Sequence, residues 1–85
     1  MTHQDIYDRF AAIIVNVTDI PVDEIAPDKS LADDLEIDSL CTVEIIMCIE
    51  EAFALTVPDE VMKTFVTVGD VVAHIEREVA SAPAP

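Results

Sequence analysis

Between residues 2 and 17 the apolar side chains fall at Ile6, Phe10, Ile13, Ile14 and Val17, spaced i, i+4, i+7, i+8, i+11. That spacing gathers them on one face of an amphipathic helix. Thr2, with Asp5 three residues later, is a shortened capping box marking its start. The helix should fray near Asp19, because Pro21 disfavours helical geometry at Ile20. From Pro21 to Asp38 the periodicity fails: Pro21, Pro27 and Asp28-Lys29-Ser30 signal a loop, and Val22, Ile25, Leu31, Leu35 and Ile37 are expected to pin it to the core. Long connections in compact domains tend to be functional. A second helix starts at Asp38 or Ser39 and runs to about Phe53. A short helical turn follows, with Pro58 at its first helical position and Asp59 and Glu60 in the first turn. Thr67 and Asp70 cap a last helix whose Val68, Val71, Val72, Ile75 and Val79 share a face. Residues 80–85 are small residues and prolines, expected to be disordered. No β-alternation of useful length appears, and the single glycine, Gly69, leaves no glycine-built hairpin or phosphate loop. The pattern predicts an all-α domain over residues 1–79, with three main helices and one short one.

The second helix carries more apolar residues than a core stripe requires. At 100° per residue, Thr42, Ile45, Ile46, Ile49 and Phe53 gather on one side as core. Leu40, Glu44, Met47 and Glu51 fall on the other side, with Val43 at the flank. Single exposed apolar residues are ordinary on any protein surface. A stripe of apolar knobs flanked by carboxylates is instead the composition that meets a basic-rimmed pocket. Methionine suits a surface that must fit several partners.

Charge sharpens this picture. The 85-residue chain holds 18 Asp+Glu against 4 Lys+Arg, a net −14, and no Lys, Arg or His lies between Ser30 and Met62. That stretch carries Asp33, Asp34, Glu36, Asp38, Glu44, Glu50, Glu51, Asp59 and Glu60. A solvated acidic face usually interleaves lysines for pairing; their absence here suggests an electrostatic address for basic partners. The same charge disfavours nucleic acid and anionic membranes. At 52% apolar residues the chain is too hydrophobic for a disordered acidic tail. No run approaches a membrane span. Met1-Thr2-His3-Gln4-Asp5 lacks the basic segment and apolar run of a signal peptide. Cys41 and Cys48 on one helix would stand about 10 Å apart along its axis, too far for a disulfide. A soluble cytoplasmic protein is expected.

Ser39 stands where the acidic address begins. Helix N-caps favour Ser and Asp for structural reasons, so a capping role is one reading of Ser39. The other is chemical: a hydroxyl at a helix N-terminus is well placed to carry a phosphate ester, because free N–H groups and the helix dipole favour an anion.

Asp33-Asp34-Leu35-Glu36-Ile37-Asp38-Ser39-Leu40, then Val43-Glu44, Glu50-Glu51-Ala52-Phe53 and Val57-Pro58-Asp59-Glu60, together resemble a bacterial acyl carrier protein. The resemblance extends from the first helix to Thr67-Val68-Gly69-Asp70-Val71-Val72. It implies a small right-handed helical bundle, a carrier and not an enzyme, with 4′-phosphopantetheine from coenzyme A esterified to Ser39 and acyl groups riding as thioesters on its thiol. It implies partner docking by Asp38, Leu40, Val43, Glu44, Met47 and Glu51. The implied partners are a phosphopantetheinyl transferase, an acyl-loading enzyme and ketoacyl synthase-type enzymes, met by a monomer. The service would be fatty acid or related lipid or polyketide synthesis. Three positions depart from the family pattern. Glu36 stands where glycine is common, Cys41 where an acidic residue is common, and Lys63 lies in a segment usually rich in acids.

Other chemistries fit less well. There is no Gly-x-Ser-x-Gly elbow, and His3 and His74 are the only histidines, both expected at the surface. Asp34-x-Glu36-x-Asp38 fails the calcium-loop template, with Ser39 at position six and Ile45 at position twelve. Cys41 and Cys48 lack the partners of a zinc site, so no metal is expected. The rival reading is an unmodified acidic helical adaptor that binds basic surfaces and uses Ser39 only as a cap.

Overall fold

The computed structural model describes residues 2–81. Four α-helices follow one another: α1 (His3–Thr18), α2 (Ser39–Phe53), α3 (Asp59–Met62) and α4 (Val68–Ser81), with a 3-10 turn at Val22–Glu24 in the first connection. The fold is all-α, as the apolar periodicity predicts. One isolated antiparallel bridge, Ser30 with Thr67, joins the first connection to the start of α4. Residues 82–85 of the expected tail lie outside the described residues.

Both capping boxes form. Asp5 N–H donates to Thr2 Oγ1 at 3.2 Å, and Thr2 N–H to Asp5 Oδ2 at 3.1 Å. At α4 the same reciprocity links Asp70 N–H to Thr67 Oγ1 (3.2 Å) and Thr67 N–H to Asp70 Oδ2 (3.1 Å). Each box satisfies backbone donors that an isolated helix end leaves open. α1 ends at Asp19, which turns into the left-handed region (φ 63°) and donates its N–H to the Val15 carbonyl at 2.9 Å.

α1 packs against both α2 and α4. Ile6, Phe10 and Ile14 from α1 meet Ile45, Ile46 and Ile49 from α2 and Val68, Val71, Val72 and Ile75 from α4, all buried in one core. Burying each large side chain contributes roughly 1.5–3 kcal/mol. Thr42 and Phe53, expected in the α2 core stripe, are half-buried at its edges.

Three sequence expectations need correction, and one open alternative is decided. Val22 does not anchor the loop: the 3-10 turn directs it outward and leaves it 59% exposed, while Ile25, Leu35 and Ile37 are buried and Leu31 half-buried. Pro58 is the N-cap of α3, with extended backbone, so the helix starts one residue later than the proline rule suggests. Of the two cap candidates at the start of α2, the structure selects Asp38. His74 is not a surface residue. It lies three positions after Val71 on the buried face of α4, with its ring 5.6 Å from that of Phe65 and no hydrogen-bond partner for Nε2.

Candidate functional site

The loop that delivers Ser39 is fixed at several points before it reaches α2. Tyr7 Oη donates to the Ile25 carbonyl at 2.9 Å, tying the loop to α1. Burial pushes the Tyr7 phenol above its ordinary value. Leu31 N–H donates to the Val66 carbonyl (2.8 Å), Val68 N–H to that of Lys29 (3.0 Å) and Gly69 N–H to that of Pro27 (2.9 Å). A side chain at position 69 would put its Cβ 3.0 Å from the Pro27 oxygen, so glycine here answers to close approach. Ser30 and Asp34 then close a turn: Ser30 N–H donates to Asp34 Oδ2 at 2.7 Å, and Asp34 N–H returns to the Ser30 carbonyl at 3.1 Å.

Glu36 follows with φ 54°, in the left-handed region. A side chain there is strained by Cβ crowding, which explains why glycine suits this position. Glu36→Gly is expected to raise stability by about 0.5–1 kcal/mol, the relieved strain exceeding the added entropy of the unfolded chain. Urea unfolding checks it: the midpoint should rise with an unchanged slope.

Asp38 receives the chain in extended geometry and accepts Cys41 N–H on Oδ1 at 2.8 Å. Its carbonyl also takes the Thr42 hydroxyl at 2.8 Å. The Cys41 amide bond holds the Asp38 carboxyl below its ordinary value of 3.8. Hydrogen bonds from Thr2 lower Asp5, and those from Thr67 and then Val66 lower Asp70, in the same way. A carboxyl depressed in the folded state adds stability that is complete above its unfolded value and is lost as pH falls through the folded one. Asp38→Asn keeps the cap acceptor without the titration. Thermal unfolding of this variant should therefore lose less stability than wild type below about pH 4, whereas Asp38→Ala should be weaker already at neutral pH.

Cys41 shares this corner. Its side-chain hydrogen bond with Asp38, followed by desolvation and the charges of Asp38 and Glu44, raises its thiol above the ordinary value. The thiolate is the reactive form, so this environment works against redox or acyl-exchange chemistry at Cys41. Cys41 and Cys48 are both free.

Ser39 is the first helical residue of α2, exposed, one step past the cap. It sits on the wall of a cavity of about 320 Å³ formed with Ala32, Ile37, Thr42, Val43, Met62 and Lys63. A second hollow of about 230 Å³ adjoins it between α2 and α3, lined by Val43, Ile46, Met47, Glu50, Val57, Asp59 and Met62. Val43 and Met62 border both. Met62 and Lys63 had no signal of their own in the sequence as cavity residues, because a four-residue helix is too short to show a period. Glu50 belongs to the acidic stretch, yet its carboxylate accepts the Val57 N–H at 2.9 Å and ties the α2–α3 connection to α2.

The outer face of α2 is as the helical wheel places it. Leu40 is 69% exposed and Met47 62%, with Val43 beside them and Glu44 and Glu51 also exposed. Among the described residues no helix is long and apolar enough to cross a membrane.

A family model described as the phosphopantetheine attachment site matches residues 8–75. The acyl carrier protein of Acidothermus cellulolyticus is 39% identical over 82 residues, covering 96% of this chain and 98% of that protein. The acyl carrier protein of Kineococcus radiotolerans is 42% identical over 76 residues, covering 89% and 94%. The meromycolate extension acyl carrier protein of Mycobacterium tuberculosis (strain ATCC 25618 / H37Rv) is 46% identical over 77 residues, covering 91% and 67%. The helical order, the exposed helix-start hydroxyl beside a cavity, and matches that span most of the chain converge: this chain belongs to the acyl carrier protein family, a carrier and not an enzyme, whose cofactor is covalently attached 4′-phosphopantetheine.

Proposed function

We propose that this protein carries acyl groups as thioesters on a 4′-phosphopantetheine arm esterified to Ser39, in fatty acid or related lipid or polyketide biosynthesis. The observation that carries the reading is Ser39 itself: an exposed hydroxyl at the first turn of α2, relieved of capping by Asp38 and set on the rim of a cavity. These surroundings fit the group. The open amides of the first turn favour the anion, and the cavity offers Ile37, Val43 and Met62 as apolar surface. In the loading step the Ser39 oxygen bonds to the pantetheine phosphorus, loses its proton, and the nucleotide part of coenzyme A leaves. The arm supplies a thiol that holds the acyl group. Tethering raises the effective concentration of that cargo at successive partners. An acyl chain entering the hollows between α2 and α3 would gain about 0.8 kcal/mol per methylene removed from water. The names of the mycobacterial relatives favour service in lipid synthesis.

Docking falls to the outer face of α2: Asp38, Leu40, Val43, Glu44, Met47 and Glu51 would meet the basic patches of a phosphopantetheinyl transferase, an acyl-loading enzyme and ketoacyl synthase-type enzymes, in the cytoplasm. Weak, steered docking allows fast exchange between them. Glu44→Lys and Glu51→Lys should each slow acyl transfer by a partner synthase at low salt, with the deficit shrinking as ionic strength rises. Transfer rates unchanged in both variants would exclude this face. The loading test is intact mass after incubation with coenzyme A, magnesium and a broad-specificity transferase. A gain of one phosphopantetheinyl unit supports the carrier; a folded protein without the gain would return the adaptor reading.

A further inference from the structure

The acidic stretch from Ser30 to Met62 ends at Lys63, one of only 4 Lys+Arg in the chain. Lys63 closes α3 and lines the same cavity as Ser39, the one cation in that lining. Asp59 and Glu60 precede it by one helical turn, a spacing at which ion pairs commonly form. Among the described residues Lys63 nevertheless makes no ion pair, in a protein of net charge −14. An ammonium on a flexible four-carbon stem therefore borders the serine with no carboxylate attached to it.

We infer that Lys63 is the counter-ion for the phosphodiester of the arm on Ser39, holding the root of the arm over the cavity between α2 and α3. This inference rests on Ser39 as the attachment point. A phosphodiester keeps one negative charge throughout the physiological range, and here it would sit next to Asp38 in an already anionic region. The first turn of α2 provides partial positive charge from its amides, but Asp38 already engages the Cys41 N–H. Lys63 supplies the missing full charge from across the cavity. Its direction also matters: a phosphate drawn towards α3 aims the rest of the arm along Val43 and Met62, the residues bordering both hollows.

The experiment compares apo and holo forms of the wild type and of Lys63→Gln, with holo state verified by intact mass. Unfolding in urea at low salt should show that Lys63→Gln lowers the folding equilibrium constant of the holo form about two- to fivefold more than that of the apo form. This excess should vanish near 0.5 M salt, a level about three times physiological ionic strength. The 31P resonance of the arm should move between wild type and Lys63→Gln, and Lys63→Arg should restore both signals. Equal losses in apo and holo forms, with an unmoved 31P resonance, would overturn the role of Lys63 and leave Ser39 standing. Failure of the wild type to gain the mass would overturn the Ser39 assignment and this inference with it.

Discussion

Ser39→Ala is expected to abolish phosphopantetheine attachment completely while leaving the fold intact. The two halves of that result have separate causes. Attachment requires an oxygen nucleophile, and alanine has none. Stability is insensitive because the N-cap contacts come from Asp38, whose carboxylate takes the Cys41 N–H and whose carbonyl takes the Thr42 hydroxyl. Alanine is also compatible with helical backbone, so the exchange brings no conformational penalty of its own. The change in unfolding free energy should stay within about 0.5 kcal/mol, as for surface substitutions generally. Intact mass and urea unfolding on the same sample read both halves. A variant that still gains the mass would place the arm on another residue. One that instead loses a capping residue's typical ~1 kcal/mol would show that the hydroxyl works structurally, as the adaptor reading requires.

Ile49→Ala is expected to cost roughly 2–5 kcal/mol, the range for truncating a fully buried isoleucine. Ile49 has no exposed surface, and it sits among the residues through which α2 joins the core. Small domains hold about 5–15 kcal/mol in total, so this loss would bring the protein near its unfolding threshold. Met47, two residues earlier and 62% exposed, makes the contrasting case. Met47→Ala should leave the urea midpoint almost unchanged, and under the docking proposal it should slow transfer to partner enzymes. The same helix would thus divide cleanly between a face that holds the fold and a face that meets other proteins. A cost below about 1 kcal/mol for Ile49→Ala would mean that α2 can close the gap left behind, and the cavities beside it would then be softer than their static outline.

The parts of this fold readable from sequence are those governed by local rules. Thr2 with Asp5, and Thr67 with Asp70, announce two helix starts because a capping box is complete within four residues. The α2 wheel works because Ile45, Ile46 and Ile49 repeat with the helical period. Long-range contacts had no such signature. Lys63 joins the Ser39 cavity from the next helix, and nothing near position 63 announces it. Val22 reads as a loop anchor until a 3-10 turn directs it outward. His74 looks like a surface residue by type, although its i+3 relation to Val71 already placed it on the buried face. Pro58 shows how a statistical preference for the first helical position can miss by one residue. The left-handed backbone at Glu36 was invisible to composition; only the family's preference for glycine hinted at it.

The hydrogen bonds that moor the first connection to the start of α4 run between main-chain atoms: Leu31 to Val66, Val68 to Lys29, and Gly69 to Pro27. Main-chain bonds are indifferent to what the side chains carry. Asp28, Lys29 and Asp33 are exposed around these moorings, so their charges can change without moving the hydroxyl that the connection delivers. The surface charge of the loop and the position of the Ser39 hydroxyl can therefore vary independently. One locus is exempt: at Gly69 any added carbon meets the Pro27 oxygen, and a change there would shift the mooring itself.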